Sequence, residues 1–179
     1  MRATSVPLKR ISSLASRLVG ILLALLPQMV ATAQSRYQFD QWTTDDGLPQ
    51  NAVNAILQTR DGYLWLATND GLVRFDGSNF AVFNKGNTKG IGSSRFDRLF
   101  EDRSGSLWAV SDEGWLVKYE ANVFTTYTPN DGLPLWTQSV VIEMEEDDGG
   151  NFQIVSREGI VRWTDGRFIT SPLSEIPQM

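Results

Sequence analysis

Residues 46–83, DGLPQNAVNAILQTRDGYLWLATNDGLVRFDGSNFAVF, decide how the rest of the chain is read. Four short apolar stretches, Ala52–Leu57, Tyr63–Thr68, Leu72–Phe75 and Phe80–Phe83, are separated by Arg60-Asp61-Gly62, Asn69-Asp70-Gly71 and Asp76-Gly77. Gly and Asn tolerate positive φ, so these separators are tight turns, and short strands joined by them form an antiparallel up-and-down sheet. Leu64-Trp65-Leu66-Ala67 does not alternate apolar with polar. Such a run is expected where both faces of a strand are buried, so this sheet needs a neighbour on each side.

The same unit recurs. Arg103-Ser104-Gly105-Ser106-Leu107-Trp108 repeats Arg60-Asp61-Gly62-Tyr63-Leu64-Trp65 at a shift of 43, Gly114 repeats Gly71, and Phe124 repeats Phe80 at a shift of 44. A third copy is worn. Asp131-Gly132-Leu133-Pro134 copies Asp46-Gly47-Leu48-Pro49, and Ile160-Val161-Arg162-Trp163 copies Leu72-Val73-Arg74-Phe75. Gln153, however, stands where the other copies have Trp. Four strands per period of 43–45 residues predict an all-β protein, a β-propeller of four-stranded antiparallel blades. Blades are expected over about 47–84, 90–128 and 132–170. A sandwich also uses short strands, but has no reason to repeat Trp and Gly at fixed spacing.

Phe39-Asp40-Gln41-Trp42 precedes Gly47-Leu48-Pro49 as Phe124-Thr125-Thr126-Tyr127 precedes Gly132-Leu133-Pro134. Residues 37–42 are therefore expected to be the last strand of a closing blade. Three blades and a stray strand cannot close a ring, so residues 34–179 are read as part of a longer propeller. The two free blade faces are expected to expose large apolar side chains.

Residues 1–33 are a separate object: a basic start (Arg2, Lys9, Arg10, Arg17), the apolar run Leu18–Leu26 and Ala31-Thr32-Ala33. This is the pattern of a secretory signal peptide cleaved after Ala33, and nine apolar residues fall short of the roughly 20 that span a bilayer. The 16 basic and 21 acidic residues give a net charge of −5. Without the leader's four basic residues it is −9, a poor ligand for a phosphate backbone, so no nucleic-acid contact is expected. There is no Cys and no His. That removes disulfides, thiolate metal sites, the usual general base and every Ser-His or Cys-His dyad.

Trp65 and Trp108, mid-strand in apolar runs, are assigned to the core. Asp61, Asp76, Asp102 and Asp148 are assigned to turn capping, and Glu143–Asp148 to a solvated acidic loop, leaving no metal or catalytic site. In an up-and-down blade the fourth-to-first and second-to-third connections share one rim. That rim carries Gln50, Asn51, Asn69, Asp70, Asp112, Glu113, Trp136, Arg157 and Glu158, the candidate ligand face, because binding concentrates in loops on a rigid scaffold. Trp136, an aromatic in a polar loop, is its leading residue.

Trp42…Asp46-Gly47-Leu48-Pro49-Gln50-Asn51…Asp61-Gly62…Leu64-Trp65-Leu66…Asp70-Gly71-Leu72-Val73-Arg74-Phe75 resembles the two-component regulator propeller repeat. The resemblance covers Tyr37 to about Ile169. It implies the periplasmic sensor region of a membrane-bound receptor, with three blades here of a ring of about seven, a membrane span and a cytoplasmic output. That output is commonly a hybrid histidine kinase and sometimes a diguanylate cyclase. The resemblance further implies a dimeric receptor and a small-molecule ligand such as a glycan fragment, with no cofactor and no enzymatic activity in this segment. A secreted propeller enzyme and a lectin-like glycan-binding protein are the alternatives.

Overall fold

In the computed structural model, residues 39–134 and 141–172 are described, and nearly all of them belong to one compact unit, Gln41–Met179. The leader 1–33 lies outside the described residues, as do Tyr37 and Gln38, and Phe39–Trp42 form no strand.

The first blade is built from β1 (Val53–Gln58), β2 (Leu64–Thr68), β3 (Gly71–Phe75) and β4 (Phe80–Phe83). The second is β5 (Phe96–Glu101), β6 (Leu107–Ser111), β7 (Leu116–Glu120) and β8 (Val123–Tyr127). The third is β9 (Val141–Glu146), β10 (Phe152–Ser156), β11 (Gly159–Thr164) and β12 (Arg167–Pro172). Each is a sheet in sequence order with antiparallel pairing throughout. The chain is all-β, and its blades pack face against face as in a β-propeller.

Burial shows why the run Leu64–Ala67 is apolar on both sides. Trp65, Ala67 and Leu72 face the second blade, in one core with Phe96, Leu107, Ala109, Val117 and Phe124. Trp108, Val110 and Leu116 face the third, with Phe152, Ile154 and Val161. Both repeat indoles are thus interface residues, 1% and 0% exposed. Trp65 packs against Tyr119 at 5.1 Å between centroids, and Trp108 lies nearly parallel on Phe152 at 4.3 Å. A buried Trp removes roughly 150–250 Å² from water, and at about 25 cal/mol per Å² that is roughly 4–6 kcal/mol before entropy is counted.

The Asp-Gly-Leu-Pro copies turn out to be plugs. Thr43 and Thr128 each start a single 3₁₀ turn, and the carboxylates of Asp46 and Asp131 accept their backbone N–H groups at 2.7 and 2.8 Å. Gly47 (φ 100°) and Gly132 (φ 87°) then reverse the chain through left-handed conformations that a side chain would strain. The reversal drives Leu48 and Leu133 under the blades, where they are 7% and 2% exposed. Ile91 fills the equivalent place between the first two blades.

The two outer faces differ from expectation. On the first blade, Leu66 and Val73 are already covered by Leu48, Phe80 and Val82, and Trp42 sets its ring edge against Phe75 at 5.2 Å. Tyr127 meets Trp163 in the same way at 4.8 Å. On the third blade, Gln153 donates to Glu145 at 2.8 Å, and Arg162 pairs with Asp147 at 2.7 Å, so that face is polar where the second blade is aromatic. Of the large apolar side chains described in the unit, Ile56 is the most exposed at 65%.

Candidate functional site

Antiparallel pairing puts the β2–β3, β6–β7 and β10–β11 turns at the same end as the connections that enter β1 and β5. A buried hydroxyl ties down each turn. Thr68 Oγ1 accepts from Asp70 N (3.1 Å) and donates to the Gly71 carbonyl (2.8 Å). Ser156 Oγ does the same for Glu158 and Gly159, and Ser111 Oγ accepts from Trp115 N. With the backbone so occupied, Asn69-Asp70, Asp112-Glu113 and Arg157-Glu158 are all exposed on the rim.

The innermost strands supply a second row. Register shifts between Val53 and Ala55 and between Phe96 and Arg98 make Asn54 and Asp97 the bulged residues of β1 and β5. A bulge takes its residue out of the ladder and re-aims the side chain. Asn54 Nδ2 lies 2.9 Å from Asn69 Oδ1, 2.9 Å from the Phe96 carbonyl and 3.4 Å from Asp97 Oδ1, so it ties the first rim turn to the second blade. Below it a cleft of about 240 Å³ is lined by Asn54, Asp97, Arg98, Glu143 and the strand residues between them.

Electrostatically this end is acidic. Arg95 Nη1 stands 3.6 Å from Asp112 Oδ2. Partial burial and the adjoining Glu113 nevertheless push the Asp112 carboxyl above its ordinary range. For Glu113, burial also acts upward, but hydrogen bonds with Asp112, Ser93 and Ser111 outweigh it and hold the group below. Such a surface can accept hydrogen bonds from hydroxyl or ammonium groups and repels anions.

The predicted residues do not all converge. Asn69 joins Asn54 and Asp97, and Asp112 and Glu113 sit beside Arg95. Asn51 is taken up locally, accepting from Thr44 N at 3.0 Å. Gln50 is half-buried with its Oε1 enclosed. Trp136 lies outside the described residues. A search confined to loops misses Asn54, Asp97 and Arg98, because they are strand residues. The signal is nevertheless present, since Asn54 and Asp97 occupy one repeat position 43 apart. Turn capping also shifts by one residue: Asp147, not Asp148, accepts from Asn151 N at 2.9 Å.

Residues 47–70 match the family model described as the two component regulator propeller. A protein described as Histidine kinase P4 of Formosa agariphila is 38% identical over 63 residues, which cover 35% of this chain and 5% of that protein. Among solved structures, the extracellular domain of BT3049 from B. thetaiotaomicron, described as a hybrid two component system, superposes with a TM-score of 0.63 at 23% identity. The match covers 78% of this chain and 20% of that one. The extracellular domain of BT4673 from the same organism, described as a one component system, gives 0.59 at 19% identity, covering 78% and 19%. The chain therefore spans about a fifth of these solved structures and a twentieth of the kinase.

Proposed function

We propose that this chain, which carries the two component regulator propeller repeat, is the ligand-sensing propeller region of a membrane-bound, exported two-component receptor. The match of residues 47–70 to that repeat carries this reading. The extracellular setting of the solved relatives supports export, and the basic-apolar-small pattern of residues 1–33 supplies the address. No catalytic role is assigned to this segment. The remaining blades, the membrane span and a histidine kinase output belong to the parent receptor, which works as a dimer.

The ligand is a neutral polyhydroxyl molecule, a glycan fragment, held at the acidic rim by Asn69, Asp70, Asp112 and Glu113, with the bulged Asn54 and Asp97 below. Arg157 and Glu158 extend the same face in the third blade. Screening the full chain against neutral oligosaccharides by calorimetry tests the reading. One saccharide class should bind, and Asp97→Ala should weaken it about tenfold, the scale of a lost hydrogen bond to a charged group. Equal binding by parent and variant would remove the rim from consideration. For export, N-terminal sequencing of protein made in a Gram-negative host should read from Gln34, and an intact Met1 on cytosolic protein would refute the leader.

A further inference from the structure

A second recognition surface lies on the outer wall of the first two blades, away from the rim and independent of it. Each blade has a cation at the same place on its third strand: Arg74, Lys118 and Arg162. Two of them are neutralised within the fold. Lys118 Nζ is 3.0 Å from Glu120 and Arg162 Nε is 2.7 Å from Asp147. Arg74 has no carboxylate partner among the described residues. The position that is Asp147 in the third blade is Thr59 in the first. The counterpart of Glu120 is Asp76, whose carboxylate is spent on the backbone N–H groups of Ser78 and Asn79 at 2.8 and 2.7 Å.

Arg74 is instead half-buried among π faces, 4.6 Å over Tyr63 and 5.8 Å over Phe83, with one donor on Tyr119 Oη at 3.2 Å. Tyr119 in turn donates to Asn122 Oδ1 at 2.7 Å. One wall beyond it is the connection 84–95, drawn against β8. Thr126 Oγ1 donates to the Gly90 carbonyl at 2.6 Å, and a Cβ on Gly90 would come within 2.0 Å of the Phe124 carbonyl oxygen. That approach brings Lys89 to the edge of a groove of about 860 Å³ that also holds Arg74, Phe83, Tyr119, Asn122 and Phe124. No Asp or Glu lines it, in a chain of net charge −5.

We propose that this groove binds a ring-bearing anion, its carboxylate or sulfate ester on Arg74 and Lys89 and its ring against the aromatic wall. A guanidinium pre-set by stacking, with donors left over, suits a planar or tetrahedral oxyanion. The exclusion of carboxylates favours an anion over a neutral ligand.

The test titrates the full chain with sodium D-glucuronate, glucose 6-sulfate and glucose. Binding is read by calorimetry and by the fluorescence of Trp65, whose ring lies 5.9 Å from the Arg74 guanidinium. At least one anion should bind saturably at a site sensitive to Lys89→Glu while glucose shows no binding that this variant changes, and which anion binds identifies the group. Arg74→Gln should weaken that binding about tenfold or more, the scale of a lost charge-assisted hydrogen bond. Lys89 is exposed and has no ion pair among the described residues, so Lys89→Glu keeps the fold and should weaken binding at least as much. It serves as the decisive variant if Arg74→Gln does not fold. Glucose binding that Lys89→Glu abolishes, no anion binding at millimolar concentration, or an unchanged anion affinity in Lys89→Glu would each overturn the proposal.

Discussion

Trp108 is held at both ends: its ring lies on Phe152, and its Nε1 donates to Asp102 Oδ2 at 2.8 Å. Burial alone would raise the Asp102 carboxyl, but hydrogen bonds from Ser104, Trp108 and Ser106 outweigh it and hold the group below its ordinary range. A depressed folded pKa adds stability that is complete above the ordinary carboxylate value of about 3.9. That stability is lost as pH falls through the lower folded value. Trp108→Phe keeps an aromatic and removes one donor, so it should cost about 1–3 kcal/mol at neutral pH. The gap from the parent should narrow in urea unfolding at pH 3. Trp65 has no such tether and tests packing alone: Trp65→Ala should cost about 3–5 kcal/mol, and a melting temperature within a degree of the parent would contradict its place in the core. That both indoles are core was legible, because an apolar run without alternation belongs to a strand covered on both faces. The Asp102 tether was not, since turn capping accounts for an Asp beside Gly without a further partner.

Between blades, one contact recurs. Arg60 N lies 3.1 Å from both carboxylate oxygens of Glu101, and its guanidinium donates to the carbonyls of Asp102 and Arg103 in the next blade. One blade on, Arg103 N donates to Glu146 Oε1 at 2.6 Å, with Nε 2.9 Å from Oε2. The arginines are more than half exposed, but the glutamates are close to 10% exposed, so these clamps are worth more than a surface ion pair. Glu146→Gln should destabilise by about 1–3 kcal/mol, and doubling it with Arg103→Ala should be less than additive. An additive cycle would mean that the side-chain ion pair of the clamp contributes nothing, since Arg103→Ala keeps the backbone N–H. The four strands of the first blade were legible to within about a residue, because Gly turns and apolar runs are local signals. By contrast, Phe39–Trp42 form no strand, and residues 143–146, read as part of an acidic loop, belong to β9. Clamps and bulges were not. They join residues some 43 positions apart, and only the stacking of one blade on the next brings them together.

At the level of the molecule, the interfaces are apolar and the free face of the third blade is not. Gln153 replaces the repeat Trp on the free face of the third blade, where Glu145 and Arg162 occupy it as hydrogen-bond partners. Gln153→Trp would put an indole there, take away the donor to Glu145 and create an apolar patch. Sedimentation should show stronger self-association than in the parent; an unchanged monomer fraction would mean the face is already covered.

The clamp has a direction, always from the arginine of one blade to the glutamate of the next. The first blade has Gln58 where the later ones have Glu101 and Glu146, so it gives an arginine but offers no carboxylate to receive one. The third has Asp148 in the place of Arg60 and Arg103, so it receives but cannot give. Only the second blade holds both halves, Glu101 behind and Arg103 ahead. Copied in tandem, it would clamp to itself without a single substitution, each copy stacked on the next by the same nearest-neighbour contact.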